Sequence, residues 1–195
     1  DKINQLSKSE IRIFISGPTG SGKELISRKI HRNSKRKDGP FIVINGALLD
    51  AKKYELELFG EEKKDGSIFY GALEKASGGI LLIDEVTEIP LEIQSKILRV
   101  VIDQKFKRIN STHDIKVDVR IICTNSKDVI QEIKLGNFRE DLFHRLNVFN
   151  IKIDPLNKRI EDIPVLIDYF IENICEANNF KKFKIADNNY LLNYN

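Results

Sequence analysis

Residues 11–23 read Ile-Arg-Ile-Phe-Ile-Ser-Gly-Pro-Thr-Gly-Ser-Gly-Lys. Ile11 to Ser16 is a short apolar run that predicts a buried strand. Gly17, Pro18, Thr19, Gly20, Ser21, Gly22 and Lys23 then match G-x-x-x-x-G-K, and Leu25, Ile26 and Ile30 follow at helical spacing. A strand, this loop and a helix, in that order, are the context the phosphate-binding motif requires. Glycines let backbone N–H groups turn inward around phosphate oxygens, and a helix N-terminus adds a favourable dipole. Lys23 would set its ammonium against the β- and γ-phosphates. The bland alternative is a glycine-rich turn that binds nothing, which the flanking strand and helix argue against.

Outward from that loop the chain alternates. Apolar runs at Phe41–Ile44, Gly79–Ile83, Val117–Cys123 and Val148–Ile153 read as further strands. Between the third and fourth lies a helix starting just after Pro90, with Ile93, Ile97, Val100 and Val101 on one face. Strands alternating with helices predict βαβ units and a parallel sheet. Apolar runs without polar alternation fit strands covered on both faces. The fold class expected is α/β, a five-stranded parallel sheet flanked by helices. After Pro155 the pattern changes to a helical stripe of Ile163, Leu166, Ile167, Phe170, Ile171 and Ile174, with Glu161 and Asp162 in the first turn. We divide the chain into an α/β core, residues 1–155, and the start of a helical lid, residues 156–195.

Ile80-Leu81-Leu82-Ile83-Asp84-Glu85 carries the second chemical signal. Two carboxylates emerge at the C-terminal end of a buried strand, where open α/β sheets bind ligands. Asp84 would hold Mg²⁺, through water, and Glu85 would polarise an attacking water as general base. An Asp-Glu pair alone is a weak signal; downstream of a phosphate loop it is a strong one. Position 24 is Glu, where most such loops place the Ser or Thr that touches Mg²⁺, which argues against the common GTPases and nucleotide kinases.

Composition sets outer limits. The chain has 195 residues, 41% hydrophobic, with a formal charge of +3 from 32 basic and 29 acidic side chains. The charge is small and scattered and selects neither for nor against nucleic acid. Two cysteines, Cys123 and Cys175, suit reduced thiols and a cytoplasmic setting rather than a disulfide framework. No apolar run approaches the roughly 20 residues that span a bilayer. Three histidines, His31, His113 and His144, show no metal spacing. A start at Asp1 without any Met, and a tail at 188–195 without a terminating signal, read as a piece of a longer chain.

Further motifs carry a family resemblance. Glu24 after the loop resembles the pattern G-E-S-G-T-G-K-E of the AAA+ domain of σ54-dependent activators. Glu57-Leu58-Phe59-Gly60 resembles E-L-F-G, and Leu73 to Val86 resembles F-E-x-A-x-G-G-T-L-F-L-D-E-I. Gln94 to Val100 is similar to Q-x-K-L-L-R-V, Phe138 to Val148 to F-R-E-D-L-Y-Y-R-L-N-V, and Arg159 to Pro164 to R-x-E-D-I-P. The chain is therefore identified as resembling the NtrC family of response regulators. The resemblance implies a P-loop AAA+ fold that binds ATP or ADP with Mg²⁺.

Site roles follow from the matched positions only. Asn45 resembles the residue that restrains the catalytic Glu until a partner engages, though a strand-end cap is its plain alternative. Thr124 and Asn125 stand where the family's sensor residues read the γ-phosphate, with a register that could be shifted by one. Arg139 and Arg145 resemble arginine fingers, which add positive charge to the γ-phosphoryl group from a neighbouring subunit; surface salt bridges are their alternative. The resemblance further implies a homo-oligomer, from dimer to hexameric ring, with DNA bound through a C-terminal helix-turn-helix domain and an NtrY-like sensor kinase acting through a receiver domain. RNA polymerase is a further partner the family allows, and no membrane is implied.

One departure bears on function. Activators that remodel σ54 polymerase carry a G-A-F-T-G-A loop, but here residues 61–72 are shorter and lack it. That shortening resembles the NtrX branch, whose members need not work through σ54. Two readings stay open: an ATP-hydrolysing oligomerisation domain, or a binding module in which nucleotide only sets assembly.

Overall fold

A computed structural model describes residues 2–47, 50–181 and 183 of the chain. In order, it contains α1 (Lys2–Lys8), β1 (Ile13–Ser16), α2 (Lys23–Arg32), β2 (Phe41–Asn45), α3 (Ala51–Phe59), β3 (Gly60–Glu62), β4 (Ile68–Tyr70), α4 (Ala72–Lys75) and β5 (Ile80–Asp84). There follow α5 (Leu91–Asp103), β6 (Lys105–Phe106), β7 (Ile115–Lys116), β8 (Arg120–Asn125), α6 (Val129–Lys134), α7 (Glu140–Leu146), β9 (Phe149–Lys152) and α8 (Ile163–Asn178).

Five strands form one parallel sheet in the order β2-β5-β8-β1-β9. This is the five-stranded sheet the apolar runs predict. Both of its faces are covered, because successive strand residues bury in opposite directions. Phe14, Leu81, Ile83, Ile121 and Cys123 join the core that α3, α5 and α7 complete. Ile13, Ile15, Ile80, Leu82 and Ile122 join a second core with Leu6 of α1 and Ile30 of α2. Each such side chain contributes about 1.5–3 kcal/mol by leaving water.

Two strands start two or more residues later than expected, for identifiable reasons. β8 begins at Arg120 rather than Val117, because Val117 N–H donates to the Gln104 backbone carbonyl (2.9 Å) and Val119 N–H to Gln104 Oε1 (3.0 Å). Gln104 ends α5 in the left-handed region (φ 50°), which turns its side chain to that use. β1 begins at Ile13: Ile11 is exposed, and Arg12 sends its side chain to the Val101 carbonyl (3.0 Å) while its own carbonyl still accepts from Phe149 N–H (3.3 Å).

Arg120 is a charged residue inside the sheet. It is 2% exposed and donates to the carbonyls of Leu6 (2.9 Å), Ser7 (3.0 Å) and Ile11 (3.1 Å). Leu6 and Ser7 lie in the last turn of α1, where helix carbonyls lack intrahelical partners and favour a cation. Burial pushes the Arg120 pKa down, and the Arg36 charge does so further.

Tyr54 of α3 is fully buried, and its hydroxyl finds no partner among the described residues. Burial pushes its phenol pKa up. A buried hydroxyl without a hydrogen bond costs free energy, on the order of 1 kcal/mol or more. Tyr54→Phe is therefore expected to leave stability unchanged or raise it by up to ~1 kcal/mol; a loss above ~1 kcal/mol in urea unfolding would contradict this account.

The interval that replaces the G-A-F-T-G-A loop is a closed hairpin. β3 and β4 pair antiparallel, with Gly60 opposite Tyr70 and Glu62 opposite Ile68. The turn is tied by Gly66 N–H to the Lys63 carbonyl (2.9 Å) and by the Ser67 N–H and hydroxyl to Asp65 Oδ1 (2.9 and 2.7 Å). At its base a Cβ on Gly60 would lie 2.2 Å from the Phe69 carbonyl oxygen, so only glycine fits there (φ 75°). β3 also bridges to Ile109, between β6 and β7.

The chain divides into two compact units, one ending at Ile153 and one beginning at Asp154. In the second, α8 carries Pro164 in its first turn and closes on Asn179 in the left-handed region (φ 55°). Its buried line is Ile163, Ile171 and Cys175, with Leu166 and Ile167 half-buried. Phe170 and Ile174, expected on the buried stripe, are exposed, because the line follows the i, i+4 spacing of 163, 167, 171 and 175. The tail at 188–195 lies outside the described residues. Among the described residues no helix is long and apolar enough to cross a membrane.

Candidate functional site

Parallel strands deliver four loops to one edge. β1 runs into the glycine loop, β2 ends on Asn45, β5 on Asp84, and β8 on Thr124 and Asn125. The register aligns Asn45 with Asp84 and Ser16 with Asn125. β1 departs to the far edge strand while later strands return toward it, so the strand order reverses beside β1, and sheets of this kind bind ligands outside the carboxyl ends at such a point.

Gly17 N–H is tied to the Asn125 carbonyl (3.1 Å), and Ser21 N–H closes back on Pro18 (3.1 Å). Pro18, Thr19 and Gly20 stand exposed, while Ser21 and Lys23 are buried. Gly20 (φ 78°) and Gly22 (φ 94°, capping α2) both lie in the left-handed region, which a side chain would penalise. Lys23 is 6% exposed. Its ammonium donates to the carbonyls of Gly17 (3.0 Å) and Pro18 (3.2 Å) and lies 3.3 Å from Glu85 Oε1.

Around the acidic pair each carboxylate is oriented. Asp84 accepts Asn45 Nδ2 (2.9 Å) on one oxygen and the Thr124 hydroxyl on the other. Glu85 adopts a left-handed backbone (φ 50°, ψ 57°), with its N–H on Thr124 Oγ1 (3.2 Å). Its second oxygen, Oε2, accepts both the N–H (2.9 Å) and the hydroxyl (2.7 Å) of Ser126. Asn125 is fully buried, accepting from Thr87 Oγ1 (2.6 Å) and donating to the Lys127 carbonyl (2.8 Å).

The sequence-predicted residues are thus brought together unevenly. Lys23, Asp84, Glu85, Thr124 and Asn45 form one connected cluster. Asn45 contacts Asp84 and, through Oδ1, the Ala47 N–H (2.8 Å), not Glu85 as the resemblance implies; β2 and β5 are in register at Asn45 and Asp84, and Glu85 lies one residue further, turned toward β8. Glu24 is exposed and paired with Arg28 of the same helix (2.7 Å), whose guanidinium stacks on Phe41 (4.9 Å). Ser126 and Thr87 were not singled out from sequence, since neither matches a motif; the polar run Thr124-Asn125-Ser126 after an apolar strand is the one signal that pointed there.

Arg139 and Arg145 stand apart from this cluster. Arg139 caps α7, exposed, with its guanidinium on Asp141 (2.7 and 3.0 Å). That hydrogen bond pulls the Asp141 pKa down. Its backbone N–H is held by Gln94 Oε1 (2.9 Å), a fully buried amide that also donates to the Ile89 and Asn137 carbonyls. Gln94 of α5 therefore sets where Arg139 enters α7. Arg145, in the last turn of α7, is exposed.

The donor set fits a hard divalent cation only with help. No group of three or more His, Cys, Asp or Glu that could hold a metal occurs among the described residues. Mg²⁺ needs no such cage, because it keeps several waters and uses one or two carboxylates with phosphate oxygens. Asp84, held in place on both oxygens, meets that requirement. A cavity of about 660 Å³ lies elsewhere, beside α3, α5 and the β6–β7 segment, where Lys96 pairs with Glu55 and Lys105 with Asp114.

Comparison with known proteins places this geometry. Residues 1–152 match the family described as the Sigma-54 interaction domain. The chain is 45% identical to the nitrogen assimilation regulatory protein NtrX of Azorhizobium caulinodans over 186 residues, 95% of this chain and 41% of that protein. It is 43% identical to the DNA-binding transcriptional regulator NtrC of Escherichia coli K12 over 174 residues, 87% of this chain and 37% of that protein. A crystal structure of NtrX from Brucella abortus in complex with ATP superposes with a TM-score of 0.91 at 44% identity, covering 98% of this chain and 45% of that one. The chain spans about two fifths of the length of the curated relatives it matches. A glycine loop and an acidic strand end, joined through Lys23 and Glu85 in a five-stranded parallel sheet, agree with that match over most of its length: the chain belongs to the Sigma-54 interaction domain family.

Proposed function

We propose that this domain binds ATP and ADP at residues 17–24 and hydrolyses ATP when assembled with further copies of itself. The observation that carries the reading is the contact of Lys23 with Glu85, which joins the phosphate loop to the acidic strand end at 3.3 Å. On ATP binding Lys23 would exchange loop carbonyls for phosphate oxygens, and the loop N–H groups and the α2 terminus would complete the cradle. Asp84 would hold Mg²⁺ through water, and the cation would neutralise charge on the β- and γ-phosphates. Glu85 would orient a water and accept its proton. The water oxygen bonds to the γ-phosphorus as the bond to the bridging oxygen breaks, giving ADP and phosphate.

Arg139 and Arg145 are assigned to a neighbouring protomer's γ-phosphate, because neither touches the site of its own chain. Arg139 must leave Asp141 to do so, and an exposed pair of this kind is worth about 0–1 kcal/mol. In the full protein we assign the domain to an NtrX-like cytoplasmic response regulator, assembled as a dimer to hexameric ring, with DNA, an NtrY-like kinase and RNA polymerase as partners through other parts of the chain.

A second reading is favoured by the closed β3–β4 hairpin: without an extended loop, hydrolysis has no evident target to remodel, and nucleotide would set assembly alone. Phosphate release by the full-length protein, measured over a concentration series, separates the two. Hydrolysis predicts specific activity that rises with concentration and disappears in Glu85→Gln. ATP bound without turnover at every concentration leaves the assembly reading.

A further inference from the structure

Glu85 is restrained on the β8 side of the site. Of roughly four lone-pair positions on a carboxylate, three are occupied: Oε1 faces Lys23 at 3.3 Å, and Oε2 takes the Ser126 N–H at 2.9 Å and hydroxyl at 2.7 Å. The left-handed backbone at Glu85, held by Thr124, turns the side chain that way. Asn45 is committed to Asp84 and Ala47 and offers Glu85 nothing.

We propose that Ser126 is the positioning residue that holds Glu85 away from the attacking water, with Lys23 as its partner in the nucleotide-free domain. This rests on the ATPase reading above. A polyphosphate competes with Glu85 for the Lys23 ammonium, so nucleotide binding removes one restraint. The same phosphates repel the Glu85 carboxylate and press it toward Ser126. The Ser126 bonds then set the threshold for turnover, which falls only when arginines from a second copy offset the γ-phosphate charge and let Glu85 approach.

The experiment compares the full-length parent with Ser126→Ala, Ser126→Thr and Glu85→Gln. Ser126→Ala loses the hydroxyl bond and keeps the backbone one, so kcat is expected to rise about 5- to 10-fold, within the strength of a hydrogen bond to a charged group. KM and the Kd for a fluorescent ATP analogue are expected to stay within about twofold, since neither bond touches nucleotide. Ser126→Thr, which retains the hydroxyl, is expected to return to the parent rate. An unchanged or lower kcat in Ser126→Ala, with the parent active, overturns the proposal. A parent that binds ATP but never releases phosphate overturns the ATPase reading instead. The restraint is then decided by the Ser126 amide resonance, which must move in Glu85→Gln if the clamp exists and overturns it by staying still.

Discussion

Lys23→Ala is expected to weaken ATP binding by about 100-fold or more, a change of roughly 2.7 kcal/mol, and to abolish any turnover. The ammonium is buried with three acceptors: two loop carbonyls and Glu85 Oε1. It has three donors and no other use. Two of its present partners are neutral carbonyls, which charged phosphate oxygens outbid, and the third is a single carboxylate set against the several charges of a triphosphate. Removing it leaves the loop N–H groups and the α2 terminus, which bind phosphate more weakly. Folding should be little affected, since Glu85 keeps its Ser126 donors. The measurement is titration of a fluorescent ATP analogue beside a thermal melt. A less than about threefold loss of affinity with an unchanged melt would place the nucleotide elsewhere.

Arg120→Ala is expected to destabilise the domain by about 3–5 kcal/mol, a large part of the 5–15 kcal/mol typical of a folded chain. Three hydrogen bonds from a buried guanidinium are lost together, to Leu6, Ser7 and Ile11. Each loss removes a donor from a carbonyl, although that of Leu6 keeps Ser9, and hydrogen bonds involving a charged group are worth about 1.5–3 kcal/mol. The loss should be local at first: α1 detaches before the sheet opens, so amides of residues 2–8 exchange with solvent ahead of those in β1 and β8. Arg120→Lys, which retains one donor group of different shape, should fall between. Urea unfolding gives the size of the effect, and a change below about 1 kcal/mol would show that α1 is held by its apolar contacts alone.

The glycine loop and the acidic pair were each legible because each is a local pattern: its residues lie within a few positions of one another, at the end of a strand visible as an apolar run. The sheet was legible for a related reason, since strands covered on both faces cannot alternate with polar residues. The β3–β4 hairpin was not read, because three-residue strands carry no measurable period, although Asp65-Gly66 is a turn signal of the usual kind. Nor was α1, whose place depends on Arg120 more than 110 positions away.

The sequence by itself determined the fold class, the loop that can hold phosphate, the carboxylates beside it and the family. Those are set by short-range pattern and by side-chain chemistry. Tertiary structure alone decided which groups meet. Strand order put Thr124 of β8, and Ser126 just beyond its end, next to β5, so that Thr124 took Asp84 and Ser126 took Glu85. The register of β2 on β5 gave Asn45 to Asp84 rather than to Glu85. A turn at one residue, Glu85, settled which neighbour holds its carboxylate, because hydrogen bonds act over about 3 Å and a parallel sheet brings distant segments within that reach.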